Sequence, residues 1–292
     1  MELSMNHFSG KIPEFLGSFE YLEYLNLSAS GFVDGVVPHH LGNLSRLQYL
    51  DLRHIFLVND HHTSPSYIFL SAPSVDDLGW VSSLLLLRYL DLSAINIGKN
   101  IDWFHPVNMF PSLRTLNLAH SDVNFPCVKF VNFTSIISLD LSLNGINSTI
   151  PVWLSNLTGL MHLNLNSNHL HGKIPYFIGM FTFLASIDLS YNSFATTIPD
   201  LLCNLSSLVR LDLSGSMLSG PIPTSLGLLS RLEDLYLHLN QLTGNIPMSI
   251  GQLSKLKDLD LHNNVGTNLV ITQKLEGAKC FSLFYLGFLI LV

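Results

Sequence analysis

Charge is what this sequence has least of. Lysine, arginine, aspartate and glutamate make up 12% of the 292 residues, and 21 acids against 14 basic residues leave a net charge of −7. Nucleic acid needs clustered lysine and arginine to neutralise its phosphates, so that class of partner is excluded. Cysteine is scarce as well. Cys127, Cys203 and Cys280 stand far apart with no Cys-x-x-Cys spacing, which indicates neither a zinc site nor a disulfide framework. No His-Glu-x-x-His, phosphate-cradling glycine loop, Ser/His/Asp constellation or isolated carboxylate pair is present, so neither catalysis nor a cofactor is expected. The apolar run from Cys280 to Val292 has 13 residues, short of the ~20 a membrane-crossing helix needs. The start, Met1-Glu2-Leu3-Ser4-Met5-Asn6, has neither the basic residues nor the apolar stretch of a secretory leader.

What the sequence has in abundance is leucine at fixed spacing. Copies of one unit begin at Leu22, Leu47, Leu87, Leu113, Ile136, Leu160, Leu184, Leu208, Leu232 and Leu256, in steps of 25, 40, 26 and 23 residues and then 24 five times over. The clearest copy runs from Leu160 to Pro175. A pattern L-x-x-L-x-L-x-x-N-x-L held in register this long marks a leucine-rich repeat. The alternation in L-x-x-L-x-L puts the leucines on one face of a short strand and the intervening residues on the other. A single unit cannot bury its own leucines, so neighbours must stack. The expected fold is therefore an α/β repeat, a right-handed leucine-rich repeat solenoid with a parallel β-sheet on the concave face.

Residues 1–264 read as this solenoid, about ten units plus a partial first one, because Phe8-Ser9-Gly10-Lys11-Ile12-Pro13 matches only the second half of the unit. The unit opened by Leu47 exceeds the modal 24 by 16 residues, a long insertion near 54–80 centred on the polar, turn-rich run from Asn59 to Ser66. Its His61-His62 pair lacks preorganised ligand geometry, and a solvated loop is expected. From Leu87 to Ser135 two units lack the Gly-x-Ile-Pro ending, whereas Ile150-Pro151, Ile174-Pro175, Ile198-Pro199, Ile222-Pro223 and Ile246-Pro247 recur every 24 residues. Residues 265–292 form a non-repeat apolar tail. With no capping unit at either end, the chain reads as truncated.

The Asn that follows the strand, at Asn144, Asn168, Asn192, Asn240 and Asn264, is expected to turn inward and satisfy the backbone of the bend. Ser30, Ser121 and Ser216 take that place elsewhere with fewer donors, which predicts looser units. Gly172, Gly220 and Gly244 permit the bend before Ile-Pro. Proline in turn extends the residue ahead of it.

Outward strand positions form columns. The third position carries Tyr24, Tyr49, Tyr89, Thr115, Ser138, His162, Ser186, Arg210, Asp234 and Asp258. Three tyrosines side by side offer flat contact area of low conformational entropy, although tyrosine is also simply a good strand residue. The fifth position, Asn26, Asp51, Asp91, Asn117, Asp140, Asn164, Asp188, Asp212, Tyr236 and Asp260, is acid or amide in all but one unit, a regularity that points to architecture. It also leaves the face negative and favours a basic ligand. In the last two units Asp234, Tyr236 and His238 lie beside Asp258, Asp260 and His262, which points to pH-dependent binding. The candidate ligand-binding residues are thus Tyr24, Tyr49, Tyr89, Arg210, Asp234, Tyr236, His238, Asp258, Asp260 and His262. No metal is expected, since nothing in the sequence fixes a coordination geometry.

Asn26, Asn43, Asn132, Asn147, Asn156 and Asn204 each open an Asn-x-Ser/Thr sequon and are candidate glycosylation sites of an exported chain. The unit ending in Leu170-His171-Gly172-Lys173-Ile174-Pro175 and Leu218-Ser219-Gly220-Pro221-Ile222-Pro223 resembles the plant-specific class of leucine-rich repeats. Within it, Asp102-Trp103, Val107-Asn108-Met109-Phe110-Pro111-Ser112-Leu113, Val131-Asn132-Phe133-Thr134-Ser135 and Ile150-Pro151-Val152-Trp153-Leu154 are similar to receptor-like proteins of the fungal-xylanase-receptor type. That resemblance implies a plasma-membrane receptor with an extracellular solenoid that binds a protein or peptide, a membrane helix, a short tail without a kinase, and signalling through a leucine-rich repeat receptor kinase. The membrane link rests on the resemblance alone. Relative to that pattern the chain lacks the leader, the paired-cysteine cap, later repeats, the membrane helix and the tail. Two other readings stay open: a soluble leucine-rich repeat inhibitor of microbial wall-degrading enzymes, and a nonfunctional receptor fragment.

Overall fold

The computed structural model describes residues 1–32, 35–54, 56–58, 66–68, 72–128 and 131–264. The chain divides into two compact units, Met1–Asn144 and Gly145–Val292. In the first, the strands Tyr24–Asn26, Tyr49–Asp51, Tyr89–Asp91, Thr115–Asn117 and Ser138–Asp140 pair in parallel in chain order. In the second, His162–Asn164, Ser186–Asp188, Arg210–Asp212, Asp234–Tyr236 and Asp258–Asp260 do the same. The observed register aligns the third-position and fifth-position columns within each unit as the repeat predicts. The partial first repeat continues the ladder, with Glu2 bridged in parallel to Asn26.

Each strand is three residues long, and its middle residue is buried except at Leu259, which is half-buried. Leu25, Leu50, Leu90 and Leu116 in the first unit, and Ile187 and Leu211 in the second, are fully covered. Full burial of such a side chain is worth about 1.5–3 kcal/mol, and the ladder repeats it in every turn of the chain. Phe32 takes the further core position read from the sequence.

The chain then bends through a residue in the left-handed region. Ala29, Ala94, His120, Leu143, Ser167, Tyr191, Leu239 and Asn263 hold φ between 48° and 59°. Each costs about 1–2 kcal/mol against ordinary backbone, so the surrounding bonds must over-determine the bend. They do so from both sides. On the strand side, the fifth-position carboxylate or amide accepts the N–H two residues on, as Asp188 does from Ser190 at 3.0 Å and Asn117 from Ala119 at 3.0 Å. On the far side, the inward Asn192 donates to the carbonyls of Leu165, Leu189 and Ser190 at 3.0–3.1 Å and accepts from the N–H of Leu170 at 2.9 Å. One side chain thereby closes its own bend and ties it to the preceding repeat.

The serine positions are not short of bonds, contrary to the looser packing expected of them. Ser216 donates to the Leu189 carbonyl at 2.9 Å, and its main-chain carbonyl accepts the N–H of Phe194 at 3.2 Å, the role an Asn side chain fills elsewhere. Ser30 and Ser121 likewise accept from Phe8 and Ile97 through their main-chain carbonyls. A small shift of the backbone replaces the missing amide.

Beyond the bend the chain extends through Gly-x-Ile-Pro. In the second unit this segment builds another parallel ladder, Ser219–Pro221 with Gln241–Thr243, flanked by the bridges His171↔Ser193 and Thr197↔Ser219. Gly220 has φ 77°, as the bend requires. Each Ile-Pro leads into a five-residue 3-10 helix: Val152–Asn156, Tyr176–Met180, Asp200–Asn204, Thr224–Leu228 and Met248–Gln252. At Gly179 and Gly227 the absence of a side chain lets the next helix approach closely. A Cβ on Gly179 would sit 2.4 Å from the Leu201 carbonyl oxygen. In the first unit one of these places is taken by an α-helical turn, Phe104–Val107, its first N–H groups capped by the Asp102 carboxylate at 3.1 Å.

The insertion after Leu47 contains an antiparallel pair, Phe56–Val58 with Ser66–Ile68. The repeat register resumes at Ser74, which bridges both Val36 and Asn96 in parallel. His61, His62 and the 265–292 tail lie outside the described residues, as does Cys280. Cys127 is exposed and Cys203 half-buried, both as free thiols.

Candidate functional site

In the first unit the third-position tyrosines form one stack. Tyr24 and Tyr49 lie with ring centroids 4.3 Å apart at 18°, and Tyr49 and Tyr89 at 4.1 Å and 9°. Parallel strands set this spacing, and identical side chains in register stack without rotamer strain. Each hydroxyl donates to an acid: Tyr24 to Glu2 at 2.9 Å, Tyr49 to Asp51 at 3.5 Å and Tyr89 to Asp91 at 3.3 Å. Asn117 donates to the same Asp91 oxygen at 3.0 Å. Sequence reasoning left Glu2 and Asn117 out of the candidate set, although Asn117 stands in the fifth-position column and Glu2 pairs with Asn26 at its head.

Burial shapes the chemistry of this patch. It pushes the Tyr49 hydroxyl up to about 12, and burial followed by the Asp91 charge raises Tyr89 as well, so the tyrosines remain hydrogen-bond donors. Asp51 is buried to 2% exposure and raised to about 6, first by burial and then by the neighbouring Asp91. Arg53, 3.8 Å away, offsets this only in part. One oxygen of each fifth-position carboxylate serves the bend, which bears out an architectural role, while the other is left for the sheet face.

In the second unit a different group assembles. The Arg210 guanidinium lies 4.5 Å over the Tyr236 ring, 3.2 Å from Asp212 and 3.8 Å from Asp234. Tyr236, the one fifth-position residue that is neither acid nor amide, donates its hydroxyl to Asp258 at 2.7 Å. Burial, followed by that hydrogen bond, pushes its hydroxyl up to about 12. Beyond it the His238 and His262 rings stack at 4.6 Å and 9°, with Asp260 between their Nδ1 atoms at 3.3 and 2.5 Å. The candidate residues thus fall into two sets, one in each unit.

The sequons divide by engagement. Asn43, Asn132, Asn147 and Asn204 are exposed. Asn156 is half-buried, with its side-chain oxygen shielded from solvent. Asn26 is tied on the sheet, donating to Glu2 at 3.0 Å and accepting from Ser28 at 3.0 Å.

Comparison with known proteins agrees with this architecture. A family model described as Leucine Rich Repeat matches residues 135–157, 159–181, 183–205, 207–229 and 231–253. Receptor-like protein EIX1 of Solanum lycopersicum is 33% identical over 164 residues, covering 54% of this chain and 14% of its own length. Receptor-like protein 35 of Arabidopsis thaliana is 32% identical over 168 residues, covering 54% of this chain and 18% of its own length. This chain therefore spans less than a fifth of these curated relatives. Among solved structures, the ectodomain of the Arabidopsis receptor kinase HAESA, in complex with an N-terminally extended IDA peptide hormone, superposes with a TM-score of 0.71 at 25% identity, covering 89% of this chain and 41% of that one. Among the described residues no helix is long and apolar enough to cross a membrane. The fold is a leucine-rich repeat, matched by the family model within residues 135–253, and the chain is similar in sequence to plant receptor-like proteins.

Proposed function

We propose that this chain is the ligand-recognition module of a plant cell-surface receptor-like protein, binding a peptide or protein across the outward face of its strands. The observation that carries this reading is the Tyr24–Tyr49–Tyr89 stack, a rigid and partly exposed aromatic strip whose hydroxyls are held by the exposed Glu2 and the buried Asp51 and Asp91. Such a strip gives a peptide apolar contact at little entropic cost, and the flanking carboxylates select basic or amide-rich segments. The structural neighbour that binds a peptide hormone supports the same use of the fold. A receptor kinase is the signalling partner that the family resemblance supplies, and the cell surface the corresponding location.

The test is selection of short random peptides on the immobilised chain, followed by affinity measurement on the Tyr49→Ala/Tyr89→Ala double variant. Loss of two anchoring aromatics should weaken an enriched peptide by about ten-fold or more. Met180→Ala and Leu228→Ala, on exposed 3-10 helix positions, should leave it unchanged. Equal affinity for the double variant would overturn the reading.

A further inference from the structure

We propose that His238, Asp260 and His262 form a binding site for a divalent transition-metal ion of the zinc class. The three come from neighbouring repeats that the parallel register of Asp234–Tyr236 with Asp258–Asp260 holds side by side. Each offers one donor atom, and these atoms all lie within 4.8 Å of one another. Repeat alignment alone puts the two histidines and the acid in neighbouring units without fixing a geometry, and the strand pairing brings His238 and Asp260, 22 positions apart, together.

The donor set selects the ion. Two imidazole nitrogens and one carboxylate suit Zn²⁺, and with it Ni²⁺ or Cu²⁺, and disfavour Mg²⁺ and Ca²⁺, which seek oxygen. Three protein ligands with a fourth position open is a zinc arrangement that leaves room for water or for a donor group of a ligand. Donors bound at about 2.0–2.1 Å in a tetrahedron lie about 3.3 Å apart. His238 Nδ1 already stands 3.3 Å from Asp260 Oδ2. The contact of His262 Nδ1 with Asp260 Oδ1, 2.5 Å, must open, and the parallel rings must rotate about their side-chain bonds to aim at one point.

His238 Nδ1 is shielded from solvent, and the nearby carboxylate is not placed to hydrogen-bond it. A buried polar atom left this way is unfavourable unless something satisfies it, and a cation at this position does so. Entry is not blocked, since the His238, Asp260 and His262 side chains keep 16%, 19% and 24% exposure. Asp260 can ligate through Oδ2 while Oδ1 continues to accept the His262 N–H at 3.1 Å, so the bend survives occupancy. Coordination through Nδ1 of His262 breaks its hydrogen bond to Asp260, and the one N–H of the neutral ring is then carried by Nε2, so no net proton is lost.

The test uses the full chain and Zn²⁺ alone by isothermal titration, with the visible spectrum of Co²⁺ as a reporter of tetrahedral coordination. One ion should bind per chain, and Mg²⁺ and Ca²⁺ should not compete. His238→Gln and Asp260→Asn should each weaken binding at least about ten-fold. The second variant keeps the turn bond, as Asn164 does to the N–H of Asn166 at 3.1 Å, so its fold is secure and is checked by circular dichroism. His171→Gln, elsewhere in the same unit, should bind as the parent does. Absence of binding, or equal affinity in the parent, His238→Gln and Asp260→Asn, would overturn the site. No peptide enters the experiment, so its outcome is independent of the recognition reading above.

Discussion

Replacing Asp51 with Asn should stabilise the protein, and only above a definite pH. Asp51 is 2% exposed, and its carboxyl is raised from 3.8 to about 6, chiefly by burial and next by Asp91. Because the folded value lies above the unfolded one, the native state holds the extra proton between those limits. Stability contributed by this group is therefore fully present below about pH 4 and is lost as pH rises through about 6. A shift of about two units corresponds to a ceiling of roughly 3 kcal/mol at neutral pH, and relaxation of the surroundings lowers the expected gain to about 1–2 kcal/mol. The substitution keeps the turn bond of the side chain, since Asn26 and Asn117, in register with Asp51 and Asp91, accept the equivalent turn N–H at 3.0 Å, as Asp51 does from Arg53. Urea midpoints of parent and variant, measured at about pH 4, 6 and 7.5, should coincide at the lowest pH and separate in favour of the variant as pH rises. A variant less stable at about pH 7.5, or a gap that does not widen with pH, would refute the assignment of a strained buried carboxylate.

Other perturbations follow from the same geometry. Asn192→Leu strands the N–H of Leu170 and the carbonyls that the amide now serves, and should cost about 3–4 kcal/mol by urea unfolding. Asn192→Ser should cost clearly less, because serine at Ser216 is satisfied through its own carbonyl. Gly179→Ala drives a Cβ to 2.4 Å from the Leu201 carbonyl and should cost about 2–3 kcal/mol, readable as a lowered melting temperature. In a secretory host, glycopeptide mapping should find Asn43, Asn132, Asn147 and Asn204 occupied and Asn26, whose amide is engaged with Glu2 and Ser28, empty.

The scaffold was legible in the sequence because its determinants repeat. Leucine alternation set the strands, Ile-Pro the entries to the 3-10 helices, and the columns of outward residues fell into the observed register. The fifth-position acids were rightly read as architecture, since each closes the turn two residues on. What escaped notice is what one unit does not show. Tyr191 and Leu239 sit in left-handed backbone without glycine, their N–H groups bonded to the carbonyls of Ser214 and His262 in the next repeat. Gly179 and Gly227 carry a recurrent signal after Ile178 and Leu226, but its meaning, close approach of the next helix, appears only in three dimensions. The serine positions were misjudged because a count of side-chain donors ignores what the backbone carbonyl can accept. The His238, Asp260 and His262 convergence depends on distances across strands, where the sequence supplies only residue types.

The most direct test of recognition across the strand face is photo-cross-linking. A peptide enriched on the chain, carrying a photoreactive residue, would be irradiated in complex and the labelled positions mapped by mass spectrometry. Labels should fall on the outward columns, at Tyr24, Tyr49, Tyr89 and their neighbours Asp51 and Asp91, or at Arg210, Tyr236 and Asp258. Labels confined to the 3-10 helices, at positions such as Tyr176, Met180 or Leu228, would contradict it.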